Sequence, residues 1–215
     1  MTRRSACLLL LMPLVVTFTA GCAESSLPPP SGSVLFQDDF SRPSSGWEIR
    51  RRAEAIFDYR DGEYTMLVLA PNASTWSTPR LEVGEVRIEV DARQTGGRAD
   101  NLYGIICRYR NDGNFAFLVA SGDGFAGIGE YRNGRRQLLS GDAMLPADSI
   151  ILGGLPNHLS AECLADTLRL YINGNLAVEV ESKSVVPQSG IGLLVGSYGE
   201  PGVEFAFDNF SARAP

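Results

Sequence analysis

The chain has 215 residues, with 25 acidic against 19 basic side chains and a formal charge of −6. An acidic chain gains nothing from counterion release on a phosphate backbone, so nucleic acid is excluded as a partner. With 44% hydrophobic residues and four cysteines, the length suits one sizeable domain that needs no dense disulfide framework. In chain order, Arg3 and Arg4 come first, then an apolar run from Leu8 to Phe18, then the small residues Ala20 and Gly21. That order predicts a secretory signal peptide over residues 1–21. The run is shorter than the roughly 20 apolar residues of a spanning helix, and Pro13 interrupts it. Removing residues 1–21 takes two arginines and no acid, leaving a formal charge of −8.

Thr19-Ala20-Gly21-Cys22 resembles the lipobox of bacterial lipoproteins, with Thr19 where that family usually has Leu. The resemblance implies that Cys22 becomes the first residue of the mature chain and carries lipid. It further implies a place in the bacterial cell envelope, on the outer side of the cytoplasmic membrane or in the outer membrane. Two acyl chains suffice for stable anchoring. Residues 22–33 then form a Pro/Ser-rich linker, in which Pro28, Pro29 and Pro30 favour an extended polyproline conformation of about 3.1 Å per residue.

From Val34 the pattern is one of strands, and residues 34–215 read as a single domain. Glu85, Arg87, Glu89 and Asp91 alternate with Val86, Ile88 and Val90, the period of a half-buried strand. Residues 63–70 and 191–195 are apolar on both phases, as in central strands. Leu168, Leu170 and Ile172 lead into Asn173-Gly174, and Leu176, Val178 and Val180 return. Asn-Gly between alternating runs marks a hairpin, and Asn133-Gly134 repeats it. No segment holds a capped helical period. Gln37-Asp38-Asp39-Phe40 near the start matches Phe207-Asp208-Asn209-Phe210 near the end. This predicts pairing of the first and last strands, which would protect the sheet edges. The whole reads as an all-β, antiparallel sandwich or barrel.

Of the cysteines, Cys7 leaves with the leader and Cys22 is the lipid site. Cys107 and Cys163 remain, each on the apolar phase of a strand. A disulfide between them is favoured over two buried thiols in an oxidising compartment.

Asp38-Asp39-Phe40, Ser44-Ser45-Gly46-Trp47, residues 103–109, Ser121-Gly122-Asp123-Gly124, residues 168–174 and Phe207-Asp208-Asn209-Phe210 occur in that order. Together they resemble the laminin-G-like, concanavalin A-like lectin/glucanase domains of bacterial surface proteins. The resemblance implies a two-sheet jelly-roll sandwich. Its members include sugar-binding modules and glycoside hydrolases, so fold alone assigns no chemistry.

The chemical candidates divide accordingly. Glucanases of that superfamily carry acids along one strand, and Glu85, Glu89 and Asp91 share a strand face here, yet the central position is Arg87. A solvated, ion-paired face is the simpler reading, which favours a binding module over an enzyme. His158, the only histidine, supports neither a histidine metal site nor a triad. Asp38, Asp39, Asp208 and Asn209 offer oxygen ligands should the ends of the domain meet, with Asp39 and Asp208 as the calcium candidates; calcium needs 6–8 oxygens. Trp76, Tyr103, Tyr131 and Tyr198 have the polar or glycine neighbours that a sugar site uses, since an aromatic face takes the C–H face of the ring while its neighbours take hydroxyls. Along residues 102–110, Tyr103, Ile105, Cys107 and Tyr109 are expected inward. Gly104, Ile106, Arg108 and Arg110 are expected outward, with Arg108 at the centre of a groove. The expected role is glycan binding at the envelope; the alternatives are a glycoside hydrolase and a structural protein contacting another envelope protein.

Overall fold

A computed structural model of the chain describes residues 29–183 and 188–215. The signal peptide over 1–21, the lipid site Cys22 and linker residues 23–28 lie outside the described residues. The described residues contain strands and no helix. The chain opens with β1 (Val34–Asp38), β2 (Arg50–Arg51), β3 (Ala55–Arg60), β4 (Glu63–Val68), β5 (Ser74–Ser77), β6 (Glu82–Val83) and β7 (Val86–Gly96). Next come β8 (Leu102–Asn111), β9 (Asn114–Ser121), β10 (Phe125–Arg132), β11 (Arg135–Leu138) and β12 (Leu145–Pro146). The rest are β13 (Asn157–Cys163), β14 (Thr167–Ile172), β15 (Asn175–Glu181), β16 (Ser189–Gly196) and β17 (Val203–Arg213).

They build two antiparallel sheets. The first runs β15-β14-β13-β7-β17-β4-β3-β2, with β1 along β17. The second runs β11-β10-β9-β8-β16-β5, with β12 on β10 and β6 on β16. Period two does its work in β7, where Val86, Ile88, Val90 and Ala92 are buried and Arg87 is exposed. These side chains meet Ile105, Leu118, Ile128 and Leu193 of the second sheet in one core. The result is a two-layer jelly-roll sandwich.

The two Asn-Gly pairs turn hairpins as expected, with both residues at positive φ: 51° and 81° at Asn173-Gly174, 51° and 77° at Asn133-Gly134. Asp61-Gly62 makes a third such turn between β3 and β4, at 57° and 81°.

The chain ends close on one another. Phe36 pairs with Ala212 and Asp38 with Phe210. Behind that pairing lies an aromatic box. Trp47 meets Phe210 edge-on at 4.9 Å and Phe40 at 5.5 Å, and Phe40 stacks on Tyr64 at 5.5 Å. The Tyr64 hydroxyl donates to the Glu48 carbonyl at 2.6 Å and shares a bond with Ser77 Oγ at 2.7 Å, so the polar end of a buried ring is satisfied.

Cys107 and Cys163 are joined in a disulfide. It ties β8 of the second sheet to β13 of the first, inside the shared core.

Candidate functional site

The outer faces of the two sheets differ in chemistry. On the first sheet, charges pair across strands. Arg87 bonds Glu89 at 3.0 Å and approaches Glu162 at 3.8 Å, while Arg169 joins Glu162 at 3.1 Å and Glu179 at 3.0 Å. Glu85 accepts the Ala165 amide at 2.6 Å. The carboxylates on β7 are therefore engaged in exposed pairs, each worth little to stability, and they form no isolated acid pair.

The second sheet is apolar outside as well as inside. Every residue of β16 is buried, and β9 is buried from Phe115 onward. The cause is a second cluster on the outer face: Ile106, Phe115, Phe117, Val119 and Leu194, against which Trp76, Tyr109 and Tyr131 pack. Phe115 stacks on Tyr131 at 4.7 Å, and Trp76 meets Phe115 at 4.8 Å and Tyr131 at 5.7 Å. Strands β5 and β10 are four spacings apart in the sheet order, about 19 Å if flat. The rings therefore lean toward one another over β16, β8 and β9. Glycines clear the way: a Cβ at Gly190 would come within 3.1 Å of the Tyr109 ring.

One carboxylate organises the rim. Asp112 Oδ1 accepts from Trp76 Nε1 at 3.0 Å and from the Tyr109 hydroxyl at 2.7 Å. Its other oxygen has no partner among the described residues. Burial, and then the bond to Asp112, pushes the Tyr109 hydroxyl up to about 12. It stays protonated and donates. Half-buried ring edges next to a fixed carboxylate can take an apolar ring face and a hydroxyl at once.

The sequence-predicted residues separate. Trp76 and Tyr131 are brought together, and Tyr109, Phe115 and Phe117 join them. Tyr103 is corrected: it is 2% exposed, stacked on Phe205 at 4.6 Å inside the core, and reaches no ligand. Tyr198 is exposed in the turn after β16, joined to Asn101 through its backbone amide, and pairs with none of the other rings.

Arg108 is corrected as well. The register of β8 against β9 slips between Cys107 and Asn111, and Arg108 takes a φ of 53°. This bulge inverts the alternation beyond it. Tyr109, expected inward, joins the outer cluster. Arg108 turns toward the end of the sandwich, where it donates to Ser182 O and Ser182 Oγ at 3.0 Å each and to Leu164 O. Gly104 is no floor of a groove either, because a Cβ there would meet Leu118 O at 2.1 Å. That glycine lets two strands approach.

A cleft of about 760 Å³ lies over the first sheet, under the segment that follows β1. Asp39, Arg42, Glu89 and His158 line it. Asp91 bonds His158 Nδ1 at 2.7 Å and accepts from Asn209 Nδ2 at 2.9 Å. A bulge in β17, with Asn209 at a φ of 54°, aims that amide. The two calcium candidates are held differently. Asp39 is tied to Ser41 by two bonds, which hold its carboxyl below the usual range. Burial above all holds the Asp208 carboxyl high; the Asn209 amide opposes this, and the charges of Glu63, Asp91 and Asp39 add to it. Among the described residues, no three His, Cys, Asp or Glu side chains stand where they could share a metal ion.

No family model matches the chain, and no curated protein matches it. Solved structures do match. A carbohydrate-binding module, CBM66, from Bacillus subtilis superposes with a TM-score of 0.64 at 13% identity, covering 79% of this chain and 96% of that one. A Bacillus subtilis protein of unknown function with a galectin-like fold gives 0.62 at 11%, covering 85% and 96%. The GH43 protein BlXynB from Bacillus licheniformis gives 0.64 at 16%, covering 88% of this chain; the match spans only 41% of the length of that enzyme. At these identities the likeness is one of fold, a two-sheet β-sandwich.

Proposed function

We propose that the protein is a non-catalytic glycan-binding module, held at the bacterial cell envelope by a lipid on Cys22. The observation that carries the glycan reading is the group of Trp76, Tyr109 and Tyr131 over Phe115 and Phe117, with Asp112 at its rim. Sugar rings offer C–H faces to such rings and hydroxyls to such a carboxylate. The fold shared with a carbohydrate-binding module supports the same reading.

Trp76→Ala should weaken binding to any glycan that the protein takes by about 2 kcal/mol, roughly 30-fold. Because Trp76 lies outside the inter-sheet core, the melting temperature should hardly move. Affinity electrophoresis through a panel of polysaccharides reads the first effect, and calorimetry the second. Wild-type mobility of the variant in every gel would end the assignment of this face.

A hydrolase of the same fold is the second reading, favoured by the cleft that brings Glu89 and His158 together. Reducing ends released from a bound polysaccharide, and lost in Glu89→Gln, would replace the binding-module reading.

The anchor has its own test. Cys22→Ala should leave an uncleaved precursor or move the protein out of the membrane fraction. Labelling by radioactive palmitate should disappear. A variant that fractionates and labels as the wild type does would remove the lipid from the proposal.

A further inference from the structure

We infer that the cleft over the first sheet is a second sugar site, taking neutral sugar units by their hydroxyl edges, and that the protein thereby bridges two glycan chains. The inference rests on the glycan reading of the aromatic face and adds a site on the opposite side of the molecule.

The two sites face apart. Glu89 and His158 border the cleft. They alternate with buried neighbours, Ile88 and Val90 around Glu89 and Leu159 after His158. On the second sheet Phe115 and Phe117 alternate in the same way with Ala116 and Leu118. Ile88, Val90, Leu159, Ala116 and Leu118 all belong to the one inter-sheet core. That core separates the sites, so a chain held on one leaves the other open.

The cleft is held in shape before any ligand arrives. Its volume of about 760 Å³ is that of a ligand site, with room for more than one sugar ring. Asp91 engages both of its carboxylate oxygens, one with His158 Nδ1 at 2.7 Å and one with Asn209 Nδ2 at 2.9 Å. A carboxylate accepts, so Nδ1 donates and the neutral ring presents Nε2 as an acceptor. On the other wall, Asp39 Oδ1 takes the Ser41 amide at 3.1 Å and the Ser41 hydroxyl at 2.6 Å. Those bonds fix the segment that follows β1.

Donors and acceptors are mixed along the lining. Asp39 Oδ2 and Asn209 Oδ1 make no bond among the described residues. Glu89 uses Oε1 on Arg87 and keeps its second oxygen. The donors are Arg42 and Arg213. Neither has a carboxylate partner among the described residues. Arg60, Arg87, Arg93 and Arg169 of the same sheet each have one. The charge of Arg42 acts on Asp39, and the charges of Asp91 and Asp39 act on Asp208. Asp38 lies buried at the border, with Oδ1 on the Phe40 amide. A simple anion or cation would therefore meet groups of its own sign. A hydroxyl donates and accepts at once, and a sugar edge carries several. Phe210, the aromatic residue of the lining, is 1% exposed and offers no ring face. Hydrogen bonds exchanged with water are worth little net, so this is the weaker of the two sites.

The test uses residues 23–215, which contain every described residue and carry no lipid, so no micelle joins two copies. Dextran, glucomannan and arabinoxylan are the probes, and light scattering is the measure. A polymer retained in affinity gels should scatter most near equivalence, and less in protein excess, where each chain fills with its own copies. Trp76→Ala should lower that maximum about tenfold, and so should Arg42→Ala/His158→Ala. The second variant changes two exposed side chains outside the core, so its melting temperature and its retention in the gel should stay near wild type. Retention that falls with Trp76→Ala, without scattering by the wild type at any ratio, overturns the bridge and leaves the aromatic-face reading standing. Scattering that persists in Arg42→Ala/His158→Ala also overturns it, since self-association or another surface would then join the chains. Reducing ends released from the bound polymer would give the cleft to a hydrolase and overturn it as well. No retention by any of the three polymers overturns both readings.

Discussion

Replacing both Cys107 and Cys163 with alanine should cost about 4 kcal/mol of stability, the loop-closure entropy expected for 56 residues of separation. Besides the backbone crossings, the bridge is the one disulfide between the layers among the described residues, joining β8 of the second sheet to β13 of the first. Cys107 directly precedes the bulge at Arg108, and Cys163 directly precedes Leu164, whose carbonyl Arg108 bonds. With an m-value of about 2 kcal/mol per molar, the urea midpoint should fall by about 2 M. The reduced wild type should match the double variant. A midpoint unchanged by either treatment would mean that the bridge adds nothing to the packed core around it.

Trp47→Ala should cost about 4 kcal/mol, in the range for deleting a buried aromatic side chain. Trp47 is 4% exposed and touches Phe36, Phe40, Tyr64 and Phe210. Those contacts join β1, β4 and β17, so the box holds the two ends of the domain together. A double-mutant cycle with Phe210→Leu should show a coupling of about 1 kcal/mol for the edge-on pair, beyond the area each buries. The thermal midpoint read by calorimetry is the measure. A fall of only a degree or two would show that the box repacks around the loss. The indole Nε1 is buried without a partner among the described residues, so Trp47→Phe should be tolerated far better than alanine.

Much of the architecture was legible before any coordinates. β7 alternates because one side of it faces a core, and any strand in that situation must show period two. Asn173-Gly174 and Asn133-Gly134 announce their turns because those residue types accept the left-handed backbone that a tight hairpin needs. The repeated motif at the ends, and Cys107 with Cys163 on apolar phases, pointed to contacts that the fold then makes. These are local properties, or pairings with few alternatives.

The site was less legible, and the reason lies in β8. Alternation carried from Tyr103 through Cys107 assigns Tyr109 inward and Arg108 outward. The bulge at Arg108 reverses both, and no glycine or asparagine stands there to signal a left-handed residue. Trp76 and Tyr131 were grouped in one site by their polar neighbours alone, since four strand spacings separate them and only the sheet order lays their rings over the same strands. The charge on either face was readable residue by residue. Which arginines find carboxylates was not, because pairing depends on the neighbours that strand order supplies. Sequence by itself determined the strands, their turns and the buried phase of most of them. The tertiary structure alone decided which aromatics share a face and which arginines are left without partners, because cross-strand neighbours and a single inverted backbone angle are set by long-range packing rather than by any local period.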